Sequence, residues 1–238
     1  MIPTIATQGL ILAFLPALLV FGIMYWWRAN VGTAVYATAR MLVQLLLVGY
    51  VLIYIFETDR AWLIVAVIFI MTLVASWIAI RHLHDKSLKP YLRALIAIGL
   101  PSTLILALVT AAVIGVEPWF RPRYVVPLAG MIIAGAMNAV GLASERFQAE
   151  QARGVDYPEA RRTALQTSLI PIINSLFAVG LVSLPGMMTG QILSGVSPLV
   201  AAKYQIVVMT MLFGVSGTSS AFYLIQQKKG PQAGPLAE

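Results

Sequence analysis

Apolar runs and short polar breaks alternate along the whole chain. Predominantly apolar stretches fall at about 7–27, 34–56, 61–80, 94–114, 124–143, 168–187 and 200–225. A helix needs about 20 apolar residues to cross a bilayer, and helices or closed barrels are the only structures that satisfy their backbone there. The runs lack the period-2 alternation of a barrel strand. The pattern therefore predicts an all-α integral membrane protein of about seven transmembrane helices. The last two are the most interrupted: Pro171, Pro185 and Gly186 fall in the sixth, and Gly214 and Gly217 in the seventh.

Composition agrees, with 60% hydrophobic residues, 11% charged residues and a mean hydropathy of +0.87. The basic residues add an orientation. The first, third and fifth loops and the C-terminal tail hold Arg28; Arg81, Lys86, Lys89 and Arg93; Arg146, Arg153, Arg161 and Arg162; and Lys228 and Lys229. The even loops hold only Arg60, Arg121, Arg123 and Lys203. The positive-inside rule then puts the N-terminus outside and the C-terminus in the cytoplasm of a multi-pass protein of an inner or plasma membrane. The opening residues lack the basic region of a cleavable signal, so the first helix is expected to be retained. The net charge of +7 reflects this topology and gives no reason to expect nucleic acid. With no cysteine in the chain, disulfides, thiol catalysis and thiolate metal sites are excluded. Residues 1–225 read as one polytopic transmembrane domain and 226–238 as a flexible cytoplasmic tail.

The acids locate the energy source by their absence from the spans. Glu57, Asp59, Asp85, Glu117, Glu145, Glu150, Asp156, Glu159 and Glu238 all fall in loops or the tail. Ion-coupled transporters commonly keep such a group at the midplane. No lysine follows a glycine, so the chain lacks the phosphate-binding loop of an ATPase. If ATP drives this protein, a separate subunit hydrolyses it. The fifth loop, about 144–167, carries four acids and four bases. Arg146 and Glu150 stand one helical turn apart and can pair. Gly154 suits a helix stop, Asp156 with Glu159 forms a capping-box-like start, and Pro158 fits the first turn that follows. The loop thus reads as a helical hairpin, either docking a partner or simply solvated.

Within the spans the polar candidates are few. Arg40, with Gln44 one turn further, either lines a polar path or snorkels to the cytoplasmic end of its helix. Asn138 and Asn174 stand among small residues and suit interhelical amide bonding, the wall of a path, or both. Met131, Met137, Met187 and Met188 are soft thioethers that more often fill apolar gaps than bind metal. His82 and His84 in the third loop either bind a metal transiently or belong to a solvated basic loop, since no further His or Cys completes a site, and the metal stays unassigned. No nucleophile, base and orienting acid can be assembled in the membrane, which argues against an enzyme. The uncharged stretch Leu181 to Leu199 holds Pro185, Gly186, Gly190 and Gly195, with Met187, Met188, Thr189 and Gln191 available for contacts. It reads as an outer gate or short re-entrant cap, or as a plain outer loop.

Four segments carry a family resemblance: Ala37 to Leu52 (ATARMLVQLLLVGYVL), Met131 to Phe147 (MIIAGAMNAVGLASERF), Ile170 to Ser175 (IPIINS) and Leu181 to Leu199 with its PGMMTGQ block. In this order they resemble the FetB/YbbM-type permeases of ABC transporters and their plant aluminium-tolerance relatives. The resemblance implies a permease homodimer in membrane lipid, associated with iron export and powered by a separate FetA-like cytoplasmic ATPase. That partner, not this chain, would bind ATP and Mg. It also implies a docking role for the fifth loop, with Glu145, Arg146, Glu150, Gly154, Asp156, Glu159, Arg161 and Arg162 as coupling candidates. Many such permeases carry an EAA-like loop; setting its glycine at Gly154 puts Gln148, Ala149 and Glu150 in its first three places, so the leading acid is an amide here. The substrate path would draw on Arg40, Gln44, Asn138, Asn174, Met187, Met188, Thr189 and Gln191. Bare iron fits the spans poorly, because they hold neither carboxylate nor imidazole. Other assignments are a permease for a sugar nucleotide or another anion, a gradient-driven transporter or channel, or a membrane scaffold.

Overall fold

The computed structural model describes residues 6–58, 60–83, 85 and 87–229. Asp59, His84, Lys86 and the stretch 230–238 lie outside the described residues. The described chain is helical apart from its turns and one isolated bridge between Val179 and Ser183. Two compact units divide it at Thr58.

The first unit contains α1 (Thr7–Leu12), α2 (Leu15–Trp26) and α3 (Val31–Phe56). The predicted first span holds as a segment long and apolar enough to cross a membrane, 8–26, with a two-residue turn at Ala13 and Phe14 just before Pro16 in the opening turn of α2. Proline is tolerated there because its missing N–H would be unpaired in any case. Asn30 caps α3 by accepting a 3.1 Å hydrogen bond from the Thr33 N–H, the usual repair for an orphan donor. Nearly all of α3 is exposed and apolar.

The second unit contains α4 (Ala61–Ala79), α5 (Leu88–Ala107, continuing as a π-helical turn to Ile114), α6 (Pro122–Ala152), α7 (Tyr157–Ala178), α8 (Gly186–Leu193) and α9 (Pro198–Ile225). The central element is α6, which packs against α4, α5, α7 and α9. Its buried face, Ile132, Ala136, Val140, Ala143 and Phe147, keeps the three-and-four spacing of a helical stripe. Small residues let the neighbours come close. A Cβ added at Gly141 would lie 3.3 Å from the Ala79 carbonyl oxygen of α4.

Among the described residues, six helical segments are long and apolar enough to cross a membrane: 8–26, 31–56, 61–79, 88–114, 122–152 and 198–228. The protein is therefore a multi-pass α-helical membrane protein. The sixth span expected from sequence, 168–187, is divided between α7 and α8. Pro171 lies inside α7 without ending it. The helix instead stops at Ala178, where a turn with Gly180 at φ 84° intervenes, and Pro185 caps α8. The part of α7 after Arg162 is roughly 16 residues, about 24 Å long, short of the ~30 Å hydrocarbon core. The tail begins in order: Gln226–Lys229 forms a 3₁₀ turn. The Gln226 side chain donates to the Arg93 carbonyl at 3.2 Å, and Arg93 donates to Gln227 Oε1 at 3.0 Å.

Candidate functional site

Two sites in the second unit lie at opposite ends of α6. At its C-terminal end, α6 and α7 form the hairpin expected from sequence. Gly154, at φ 78°, ends α6, with its N–H donating to the Gln151 carbonyl at 2.9 Å and that of Val155 to the Glu150 carbonyl at 3.2 Å. This is a left-handed glycine stop. Asp156 caps α7 by accepting from the Glu159 N–H at 3.2 Å, one half of the expected capping box.

The hairpin is keyed to the end of α9. Phe147, Ala143, Ala160, Ala164 and Leu224 share a buried cluster. Tyr157 stacks edge-to-face on Phe147 at 6.0 Å, and its hydroxyl donates to the Leu224 carbonyl at 3.1 Å. Such an aromatic pair contributes about 0.5–1.5 kcal/mol beyond its burial, and the hydrogen bond about 1 kcal/mol. The Arg161 guanidinium lies over the other side of this junction, 5.3 Å from the Tyr157 ring centroid. Nearby, the His82 ring is 3.3 Å from the Ser144 hydroxyl. The ends of α4, α6 and α9 and the starts of α5 and α7 thus share one end of the bundle.

The eight coupling candidates separate by exposure. Glu150 is buried, pairs with Arg146 and lies 3.9 Å from Arg153 Nη1. It holds the turn from within and offers little to a partner. Glu145, Gly154, Asp156, Glu159, Arg161 and Arg162 are exposed, with Arg146 half-buried. Arg153, which the loop pattern did not single out as a coupling residue, is also exposed.

About 28 Å back along α6, taking the distance from Glu150 to Met131 at 1.5 Å per residue, a cleft of about 360 Å³ opens between α6, α7, α8 and α9. Met131 of α6, Ser175 of α7, Ser183 of the turn before α8, Met187 in the first turn of α8, and Gln205 and Met209 of α9 line it. Gln205 is only 5% exposed and its Oε1 has no hydrogen-bond partner. Of the residues proposed for a path in this stretch, Met187 reaches the cleft. Met188 and Thr189 are half-buried elsewhere on α8, with the Thr189 hydroxyl donating to the Leu184 carbonyl at 3.4 Å. Gln191 has an enclosed, unpartnered Oε1 of its own.

Asn138 and Asn174 do not bridge helices. Both are exposed, on α6 and α7. Asn138 continues the exposed stripe of α6 two turns beyond Met131, and Asn174 adjoins Ser175 of the cleft. In the first unit, with the amide oxygen turned toward the guanidinium, Gln44 accepts from Arg40 Nε at 3.1 Å and from Nη2 at 3.3 Å. That pair neutralises part of the cost of a charge within an apolar helix. Among the described residues no three His, Asp or Glu side chains gather as a metal site; His84 lies outside them.

Gln205 and Met209 escaped the sequence pattern because a lone amide and a methionine in an apolar run look like filler. Only the fold of α8 onto α9 makes them walls. The sequence model of the family described as Uncharacterised protein family (UPF0014) matches residues 7–229. The chain belongs to the UPF0014 family. UPF0014 relatives include the UPF0014 membrane protein STAR2 of Oryza sativa, 37% identical, with the match covering 79% of this chain and 70% of that one. The Probable iron export permease protein FetB of Escherichia coli is 34% identical over 81% of this chain and 80% of its own. Protein ALUMINUM SENSITIVE 3 of Arabidopsis thaliana is 33% identical over 79% and 73%. No solved structure matches the chain significantly. The UPF0014 match takes in both the hairpin and the cleft.

Proposed function

We propose that this protein is the membrane-spanning permease subunit of an ABC-type exporter, moved by a separate ATPase that docks on the α6–α7 hairpin. One observation carries the proposal: the hairpin presents exposed charges at its tip while its base is locked to α9 through Tyr157 and the Phe147–Leu224 cluster. A push on such an element moves packed helices rather than a loose loop. The helices it moves, α6, α7 and α9, are also walls of the cleft. The positive-inside rule places the hairpin in the cytoplasm, which is where an ATP-hydrolysing partner would meet it.

The same logic assigns the exposed Asn138 and Asn174. Polar side chains at membrane depth face protein or a water-filled cavity in preference to lipid. A second copy of the chain opposite this face supplies both, so the path runs between two protomers, with α8 as its outer gate. The name of the FetB relative, an iron export permease, supports a link to metal export. ATP and Mg belong to the partner.

Replacing Glu159, Arg161 and Arg162 together by Ala tests the docking surface. Membrane insertion should persist, with stability changed by less than about 1 kcal/mol. Co-purification with the ATPase should fall at least about tenfold, because interface charges govern encounter and register. Unchanged co-purification and unchanged ATP-dependent transport would reject the docking role.

A further inference from the structure

The cleft between α6, α7, α8 and α9 has the dimensions of a small-molecule site. Its volume, about 360 Å³, lies within the roughly 300–1,000 Å³ of pockets that enclose an organic ligand. Its walls are mostly apolar, with Ile172, Val208 and Leu212 among them. Three methionines, Met131, Met187 and Met209, come from three different helices. Their unbranched thioethers repack readily around an apolar body. Of the polar groups, the Ser175 hydroxyl is already committed to the Pro171 carbonyl at 2.9 Å.

Gln205 is different. It lines the cleft, is almost wholly buried, and leaves its Oε1 without a partner. Buried polar atoms are normally paired, and an amide oxygen can only accept. With the amide oxygen in this enclosed position, the group it lacks is an N–H or O–H donor. Among the described residues no carboxylate, imidazole, lysine or arginine lines the cleft. A bare hard cation finds no charged ligand there, only the Gln205 amide oxygen and two serine hydroxyls, and a phosphate lacks its cationic partners.

We propose that this cleft binds a compact, mostly apolar organic molecule bearing a hydrogen-bond donor, and that Gln205 Oε1 receives the donor and sets selectivity. The proposal rests on the permease assignment and names the class of its cargo. A metal ion crossing by this route does so inside an organic chelate.

The absence of cysteine gives a clean test. Ser183→Cys puts a thiol at an exposed position of the cleft, and its labelling rate by N-ethylmaleimide reports occupancy in the purified full chain. Two probes of nearly the same shape are compared: 1-aminoanthracene, which carries a donor, and 1-methylanthracene, which does not. The expected result is half-protection by the amine at a concentration about tenfold lower, equivalent to ~1.4 kcal/mol. Gln205→Leu should remove that preference without changing the unliganded labelling rate. If that variant fails to fold, Gln205→Met makes the same comparison. Equal protection by both probes in the Gln205 protein, protection by neither, or a preference that survives loss of the amide would overturn the proposal. Neither ATPase nor gradient enters this assay. A negative result would therefore leave ATP-driven transport to be judged by its own flux measurement, and a failed flux measurement would leave the binding result standing.

Discussion

At the scale of single residues, close approach and buried pairing set the tolerances. Gly141→Ala drives a methyl against the Ala79 backbone at 3.3 Å, and backbone yields less readily than a side-chain tip. The expected cost is about 1–3 kcal/mol, read as a lowered thermal midpoint of the purified protein. Gly154→Ala strains the left-handed stop instead, costing about 1 kcal/mol with no steric contact involved. Glu150→Ala leaves Arg146 without its buried partner, and because Arg146 is partly exposed the loss should be modest, about 1–2 kcal/mol. Tyr157→Phe keeps the ring stacking but deletes the bond to the Leu224 carbonyl. It should cost about 1 kcal/mol while loosening the hairpin against α9, so amide exchange across 153–160 should quicken more than in α4. The Asp156 cap, the glycine stop and the Arg146–Glu150 pair were legible in sequence because they depend on spacing within one helix. The burial of Glu150 and the unpaired Gln205 were not, since each depends on which distant helix covers it.

At the scale of elements, hydrophobic runs located the helices but not how each one ends. The first run looked continuous because Ala13 and Phe14 are as apolar as their flanks, yet Pro16 restarts the helix. The sixth looked like one span because proline and glycine are also common within membrane helices. In the structure Pro171 is absorbed, and the turn at Gly180 makes the break. This arrangement predicts the sidedness of the two resulting helices. α6 is roughly 46 Å long, longer than the hydrocarbon core, so the tip of the hairpin stands clear of the bilayer. In the cysteine-free chain, Gln151→Cys should react with a membrane-impermeant maleimide only from the cytoplasmic side. Ser194→Cys, at the exposed end of α8, should react only from outside. Labelling of both from one face would refute the assigned sidedness of α8.

At the scale of the whole molecule, a long helix joins a charged hairpin at one end to an apolar cleft at the other, and α7 and α9 span the same interval. Basic-residue counting put the third loop, the fifth loop and the tail on one side of the membrane. The bonds from Arg93 to Gln227 and from Tyr157 to Leu224 gather those same segments at one end of the bundle. The polar face carrying Asn138 and Asn174 was legible only as a pair of amides, because exposure at membrane depth becomes visible once α6 and α7 are packed. Whether a separate ATPase drives transport by acting on the hairpin is tested most directly by flux in sealed vesicles holding the chain with or without a candidate ATPase, with ATP supplied on the hairpin side. Flux is expected only when ATPase and ATP are both present, and should be lost when residues 151–162 are replaced by an unrelated helical hairpin. Robust gradient-driven flux by the chain alone would contradict ATPase-driven transport.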